Sequence, residues 1–263
     1  MKIGVYSNPT KDIGGAVRDM VFAAAEHNGA NAENYVSGEK YDFIISVGGD
    51  GTILRIAKDS AKYAVPILGV NMGTVGFLTE IEPRDIEDAV AKLCRHDFLL
   101  ERRALIDATL DGTHFYALND VVVRSGNGRM ISMEVRVDGA IIDRFTCDGY
   151  IACTPTGSTA YSLSAGGSVI GPNTPVIALT PVNPHTLRTR PIVVGSFEDI
   201  TLKNTGTSTA CIYVDGECTA ELGSGRTLDV TGWDMSALFV RFDKKSFYSR
   251  LLDKLNDWSN TEG

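Results

Sequence analysis

Apolar and polar positions along the chain change rhythm near residue 99. Before it, continuous apolar runs alternate with stretches whose apolar residues recur every three or four positions. Lys2 to Tyr6, Phe43 to Val47 and Val65 to Val70 read as strands. Gly14 to Asn28 (Ala16, Met20, Ala23, Ala24), the stretch after Thr52 (Ile53, Leu54, Ala57, Ala61) and Pro83 to Cys94 (Ile86, Val90, Leu93) read as helices. Strands separated by helices imply βαβ units and a mainly parallel sheet, with ligands beyond the carboxyl ends of the strands.

After Arg102 short strands and turns take over. Asp138-Gly139 separates Met133–Val137 from Ile141–Phe145, a hairpin pattern, and Asp111-Gly112 and Asp215-Gly216 have the same style. Ser246 to Trp258 returns to helical spacing through Phe247, Leu251, Leu255 and Trp258. The expected organisation is an α/β domain over 1–98, a β-rich domain over 99–236, and a segment over 237–263 returning to the first domain, the two domains sharing a tight interface with a cleft.

Within this pattern one strand stops abruptly. Tyr41 to Thr52 runs from an apolar stretch into glycines 48, 49 and 51 around Asp50, just before helical spacing begins. Glycines free the backbone and clear side chains from the main-chain N–H groups, and the helix adds its positive end, so the turn suits phosphate. It lacks the Lys-Ser/Thr of a P-loop and the spacing of a dinucleotide fingerprint. A carboxylate among phosphate-facing amides needs a task, such as receiving a proton from an attacking hydroxyl or holding Mg²⁺; the plain alternative is an ordinary Asp-Gly turn.

Composition narrows the setting. The 263 residues are 43% hydrophobic and 22% charged, as in ordinary globular proteins. A net charge of −8 argues against nucleic-acid or membrane-surface binding and requires local basic groups for an anionic ligand. There is no apolar run of membrane-spanning length, the start reads as a strand rather than a signal peptide, and the five cysteines form no C-x-x-C pair. Reduced buried thiols in a cytoplasmic protein are expected.

Three polar stretches in the second half stand out: Leu118-Asn119-Asp120 before an apolar strand, Cys147-Asp148-Gly149, and Thr154 to Gly167, rich in hydroxyls and small residues. The first two also fit plain turns. The third suits a sugar or nucleotide, or a helix start capped by Thr156 or Ser158.

Together with Gly48–Thr52, Gly69–Thr79, Pro184–Leu187 and Arg190-Pro191, these stretches resemble the NAD kinase family along essentially the whole chain and in the same order. The resemblance implies a Rossmann-like α/β domain followed by a β-sandwich domain. It also implies transfer of the ATP γ-phosphoryl to the adenosine 2′-hydroxyl of NAD, a divalent metal such as Mg²⁺ whose ligands stay unassigned, and a homodimer or homotetramer. Polyphosphate is an alternative donor.

Carried over position by position, Asp50 is the catalytic base. Gly48, Gly49, Gly51 and Thr52 serve the phosphates, with Asp50 and Gly51 also contacting NAD. Asn119 faces the adenine, Asp120 the nucleotide and Asp148 the nicotinamide side, while Thr159, Ala160, Tyr161, Ser162 and Ser164 line the pocket. Arg55 supplies positive charge, Arg129 is a further candidate, and Arg188 and Arg190 are ATP or domain-interface candidates. Two departures stand out: Thr146, where many relatives are basic, and Glu217, where others carry Gln or His, which is retained as a nucleotide contact. A noncatalytic NAD(P)-binding regulator and a lipid kinase sharing the glycine-acid loop are the competing readings.

Overall fold

The computed structural model describes residues 1–73, 76–126, 128–243 and 247–252. The chain divides into two compact units, Met1–Arg102 with Ser236–Gly263, and Arg103–Met235.

The first unit is built on parallel strands β1 (Lys2–Ser7), β2 (Asn31–Asn34), β3 (Phe43–Gly48) and β4 (Ile67–Asn71), in the order β2-β1-β3-β4. The end of the long strand β16 (Thr227–Arg241) joins beside β4, Phe239 opposite Ile67. The central strand β3 is buried along its whole length, which is why it reads as a continuous apolar run. β2, with the sequence Asn-Ala-Glu-Asn, carries no apolar run and escapes a pattern reading; it is an edge strand held by its pairing with β1.

Helices α1 (Ala16–His27) and α3 (Ile86–Cys94) bury Val17, Val21, Ile86, Val90 and Leu93 against Ile3, Val5, Ile45, Val47 and Leu68. Helix α2 (Asp50–Tyr63) buries Ile53, Ile56, Ala57 and Ala61. Its start differs from the expectation: Asp50, two residues before Thr52, is itself the first helical residue, with extended Gly49 as the N-cap between strand and helix. Of the closing helix expected over Ser246–Trp258, positions 247–252 are helical; Ser246 and 253–258 lie outside the described residues.

The second unit is antiparallel. One sheet has the order β12 (Ile192–Gly195), β11 (Val176–Val182), β10 (Gly149–Cys153), β7 (Asp120–Ser125), β14 (Ala210–Val214), β15 (Glu217–Leu222). The other pairs the beginning of β16 with β13 (Ile200–Asn204), then β8 (Ile131–Val137) and β9 (Ala140–Cys147). Alternate residues of both sheets, among them Val121, Val123, Ile212, Met133, Val135 and Leu202, form one shared core. β5 (Leu99–Leu110) and β6 (Thr113–Ala117) form a further hairpin. At its tip and at the tips of the β8–β9 and β14–β15 hairpins, Asp111, Asp138 and Asp215 have φ of 53°, 48° and 49°. Each is followed by a glycine of positive φ, as the Asp-Gly pattern requires for tight hairpins.

One glycine sets how closely two segments of the first unit approach. A β-carbon on Gly69 in β4 would lie 2.8 Å from Ile53 Cδ1 and 2.9 Å from Thr79 Cα. Gly69→Ala is therefore expected to lower unfolding stability by about 1–3 kcal/mol, the usual cost of overpacking, as measured by urea denaturation.

Candidate functional site

The glycine-acid turn lies at the carboxyl end of β3, where the chain passes directly into α2. A β-carbon on Gly48 would overlap the Thr52 hydroxyl, so this glycine makes room for the next turn of chain. Thr52 is buried, and its Oγ1 accepts N–H bonds from Gly49 (3.3 Å) and from the Asn8 side chain (3.2 Å). Gly48 and Thr52 thus shape the turn from within, while Gly51 is exposed and Gly49 marks the helix N-terminus.

Asp50 points its carboxylate at a second segment of the same unit. Oδ2 accepts the Phe77 N–H at 2.7 Å, and Oδ1 accepts those of Leu78 at 3.1 Å and Thr79 at 3.3 Å. A side chain on Gly76 would overlap this carboxylate. The conformation of 76–79 therefore follows from the acid at 50 as much as from its own residues.

The same segment is gripped from elsewhere by Arg241, which is 6% exposed. Its guanidinium donates to the carbonyls of Leu78 (3.0 Å) and Phe77 (3.4 Å), to Glu80 Oε2 (3.0 Å) and to Glu101 Oε2 (2.6 Å). Arg250 adds a bond to Glu80 at 2.7 Å. Amides hold Asp50 while carbonyls of the same residues are held by an arginine, so the carboxylate sits on a backbone braced through both of its polar groups.

In the second unit a separate polar cluster forms around Asn119. The Asp215 carboxylate accepts N–H bonds from Leu118 (2.9 Å), Asn119 (2.7 Å) and Asp120 (3.2 Å). The Asn119 carbonyl accepts from Thr154 N (2.9 Å), and Thr154 Oγ1 donates to Leu118 O (2.5 Å) while accepting from Gly157 N (3.1 Å). A β-carbon on Gly157 would overlap the Asn119 backbone. These contacts join 118–120 to the start of the hydroxyl-rich stretch.

That stretch makes two short turns of helix, Gly157–Thr159 and α4 (Tyr161–Ser164), and neither has a side-chain cap. The capping expected of Thr156 or Ser158 is absent: Thr154 takes the amide, and the Ser158 hydroxyl donates to Pro155 O and accepts from Ile170 N. Ser162 is fully buried, its hydroxyl 2.9 Å from that of Thr180. Tyr161 and Ser164 are exposed, and Thr159 and Ala160 are half-buried.

Burial pushes the Asp120 carboxyl up to about 7, reinforced by the neighbouring charge of Asp215. Burial also pushes Asp215 up to about 6, against the pull of its three amide donors.

The remaining candidates lie on exposed parts of their units. Asp148, between β9 and β10, accepts a bond from Asn183 Nδ2 at 3.0 Å. Glu217 opens β15, Arg129 precedes β8, and Arg55 is on the outer face of α2. Thr146 pairs its hydroxyl with Ser132 across β8 and β9. Arg190 bonds the carbonyls of Leu187 and Thr189 in its own turn.

Three residues with clear positions escape a sequence reading. Asp215 has the signature of a hairpin turn, and its capping of 118–120 is invisible without the fold. Arg241 lies at the end of an apolar strand far along the chain from Phe77. Lys11 stands in an unremarkable turn, yet its Nζ would be 2.7 Å from a β-carbon on Gly49.

Comparison with known proteins agrees across the whole chain. Residues 21–98 match the model of the ATP-NAD kinase N-terminal domain, and residues 118–242 that of the ATP-NAD kinase C-terminal domain. The NAD kinase of Caldicellulosiruptor bescii is 31% identical over 261 residues, covering 98% of this chain and 100% of that protein. That of Gemmatimonas aurantiaca is 40% identical over 84% of this chain and 79% of its own length. Among solved structures, an Archaeoglobus fulgidus NAD kinase in complex with ATP superposes with a TM-score of 0.82 at 30% identity, covering 97% of this chain and 99% of its own. Yeast NADH kinase complexed with NADH has the same fold, with a TM-score of 0.85 at 22% identity over 98% of this chain and 87% of that one.

Two outcomes follow from the geometry. Arg241→Met leaves Glu80 and Glu101 without their shared partner and is expected to cost roughly 3 kcal/mol in urea unfolding, the scale for breaking a buried ion pair. Because Asp120 and Asp215 bind protons more tightly in the folded than in the unfolded chain, folding stability falls as pH rises from about 4 towards 7. Asp120→Asn removes the first of these groups, so its melting temperature should gain on the parent protein more at pH 8 than at pH 5.

Proposed function

We infer that this chain, which belongs to the NAD kinase family, transfers the γ-phosphoryl group of ATP to the adenosine 2′-hydroxyl of NAD, with Asp50 as the group that receives the hydroxyl proton. The observation that carries the role of Asp50 is its fixed carboxylate at the head of α2. Three backbone N–H groups occupy acceptor positions on it, one on Oδ2 and two on Oδ1. A carboxylate offers about four such positions, so Oδ2 keeps one for a hydroxyl donor.

In the step itself, the 2′-oxygen forms a bond to the γ-phosphorus as the bond from that phosphorus to the bridging oxygen of ADP breaks. The proton passes to Asp50 and from there to solvent. Phosphoryl transfer asks mainly for alignment and charge neutralisation, and a ribose hydroxyl loses its proton late. A rigidly held acceptor suits that demand. Gly49, Gly51 and the first amides of α2 serve the phosphates. Gly48 and Thr52 support them by shaping the turn, and Arg55 adds positive charge to an acidic protein.

Asn119 presents both a donor and an acceptor to the adenine edge. Its backbone is held through Asp215 and Thr154, which favours a fixed orientation. Asp120 serves the nucleotide and Asp148 the nicotinamide side. Thr159, Ala160, Tyr161 and Ser164 line the pocket, with Tyr161 offering a ring face. Ser162 contributes by holding α4 to Thr180. Arg129 and Glu217 remain peripheral nucleotide contacts.

Among the described residues no group of three or more His, Cys, Asp or Glu side chains converges on one point. The described residues form no such cluster, and Mg²⁺ enters this reading as a companion of the ATP phosphates. It would neutralise phosphate charge; no step is assigned to it. The family also carries a cytoplasmic homodimer or homotetramer into the reading. No described helix is long and apolar enough to cross a membrane.

Purified protein incubated with NAD, ATP and Mg²⁺ should form NADP, detected with an NADP-specific dehydrogenase. Asp50→Asn should lower kcat by about 10²–10⁴-fold, the usual span of a general base, with the KM for NAD little changed. A variant that turns over normally removes the proton-accepting role.

A further inference from the structure

The donor's place in the first unit is open to a direct argument, which rests on the kinase reading above. From β1 the chain runs to β2 on one side and later returns as β3 on the other, so the sheet order reverses between β1 and β3. In parallel α/β sheets the crevice beyond the carboxyl ends at such a reversal is where ligands bind. The loop after β3 is the glycine-acid turn. The loop after β1 is Asn8 to Asp12, and it is tied to its neighbour: Asn8 N donates to Val47 O at 2.9 Å, and Asn8 Nδ2 donates to Thr52 Oγ1 at 3.2 Å.

This tie carries Lys11 over the glycine turn. Its Nζ lies 2.7 Å from where a β-carbon of Gly49 would be and 4.0 Å from that of Gly73, in the loop after β4. Any side chain at 49 would meet the ammonium. Lys11 Nζ has no hydrogen-bond or ion-pair partner among the described residues, and Asp50, one residue from Gly49, is engaged instead by the amides of 77–79. A cation beside the positive end of a helix is electrostatically unfavourable by itself. An anion placed between the ammonium and the first amides of α2 reverses the sign of both interactions.

The loop that carries Lys11 borders, through Pro9 and Asp12, a cavity of about 380 Å³ at the carboxyl ends of β1 and β2, lined also by Gly15, Arg18 and Tyr35. Its volume falls within the range of small-molecule pockets. A phosphate chain lying at Lys11 therefore has room beside it for a nucleoside.

We propose that Lys11 is a donor-binding residue, holding the terminal phosphates of the nucleoside triphosphate between its ammonium, Gly49 and Gly73. The ligand chemistry is a polyphosphate chain, which ATP and inorganic polyphosphate share. Lys11 recognises the chain whichever donor brings it.

The test uses the full chain and compares the parent protein with Lys11→Ala and Lys11→Arg, varying ATP and NAD separately and adding inorganic tripolyphosphate as a competitor of ATP. In Lys11→Ala the KM for ATP should rise about ten- to a hundredfold, the scale of a lost hydrogen bond to a charged group. The inhibition constant of tripolyphosphate should rise in parallel, while the KM for NAD and the melting temperature hold. Lys11→Arg should recover most of the loss. An unchanged KM for ATP, an equal rise in the KM for NAD, or an unchanged tripolyphosphate constant overturns the assignment. Failure of the parent protein to make NADP from NAD and ATP would instead strike the kinase reading beneath it.

Discussion

The first unit turns on one interaction, the carboxylate of Asp50 caught by the main-chain N–H groups of Phe77, Leu78 and Thr79. A charged acceptor on three amides fixes two things together, the start of α2 and the course of a segment that runs without regular secondary structure. Other local features conform to it. Gly76 lacks the side chain that would displace the carboxylate, Gly69 lets Thr79 approach β4, and Arg241 takes the carbonyls that the amides leave facing the other way. A functional acid on a helix terminus could swing with its rotamers. Here its donors are backbone groups, themselves anchored by a buried guanidinium.

The second unit repeats the device with different parts. Asp215, in a left-handed turn conformation, receives the amides of 118–120, and Thr154 closes the network from the start of the hydroxyl-rich stretch. In both units a carboxylate organises a backbone segment that carries candidate ligand groups. The two acids differ in setting: Asp215 is raised by burial and by the nearby carboxylate of Glu217, against the pull of its amide donors, whereas Asp50 is the first residue of a helix.

Much of this organisation was legible in the sequence because it rests on periodicity and on special backbone conformations. β3 is a continuous apolar run since both of its faces are covered, and the three Asp-Gly hairpins declare themselves because few other pairs tolerate two consecutive positive φ values. The glycine-acid turn and the 154–167 stretch stand out for the same reason, small residues where backbone comes close. What stayed hidden depends on contacts between residues distant in the chain. β2 is polar and exists through its partner, and Arg241 meets Phe77 and Leu78 across 164 and 163 positions. Asp215 reads as a turn residue although its carboxylate serves Asn119, 96 positions away. Residue type alone also does not separate ligand groups from supporting ones: the Thr52 hydroxyl accepts bonds from Gly49 and Asn8, and that of Ser162 pairs with Thr180, both inside the fold.

The central claim is that the Asp50 carboxylate, held on three amides, keeps one acceptor position for the nucleophile. A crystal structure of the protein with NAD bound measures this directly. The account predicts the adenosine 2′-oxygen within about 2.6–3.2 Å of Asp50 Oδ2, with the bonds from residues 77–79 retained. A 2′-oxygen bound out of hydrogen-bond reach of Asp50, or a carboxylate turned away from those amides to meet some other part of the dinucleotide, would contradict it.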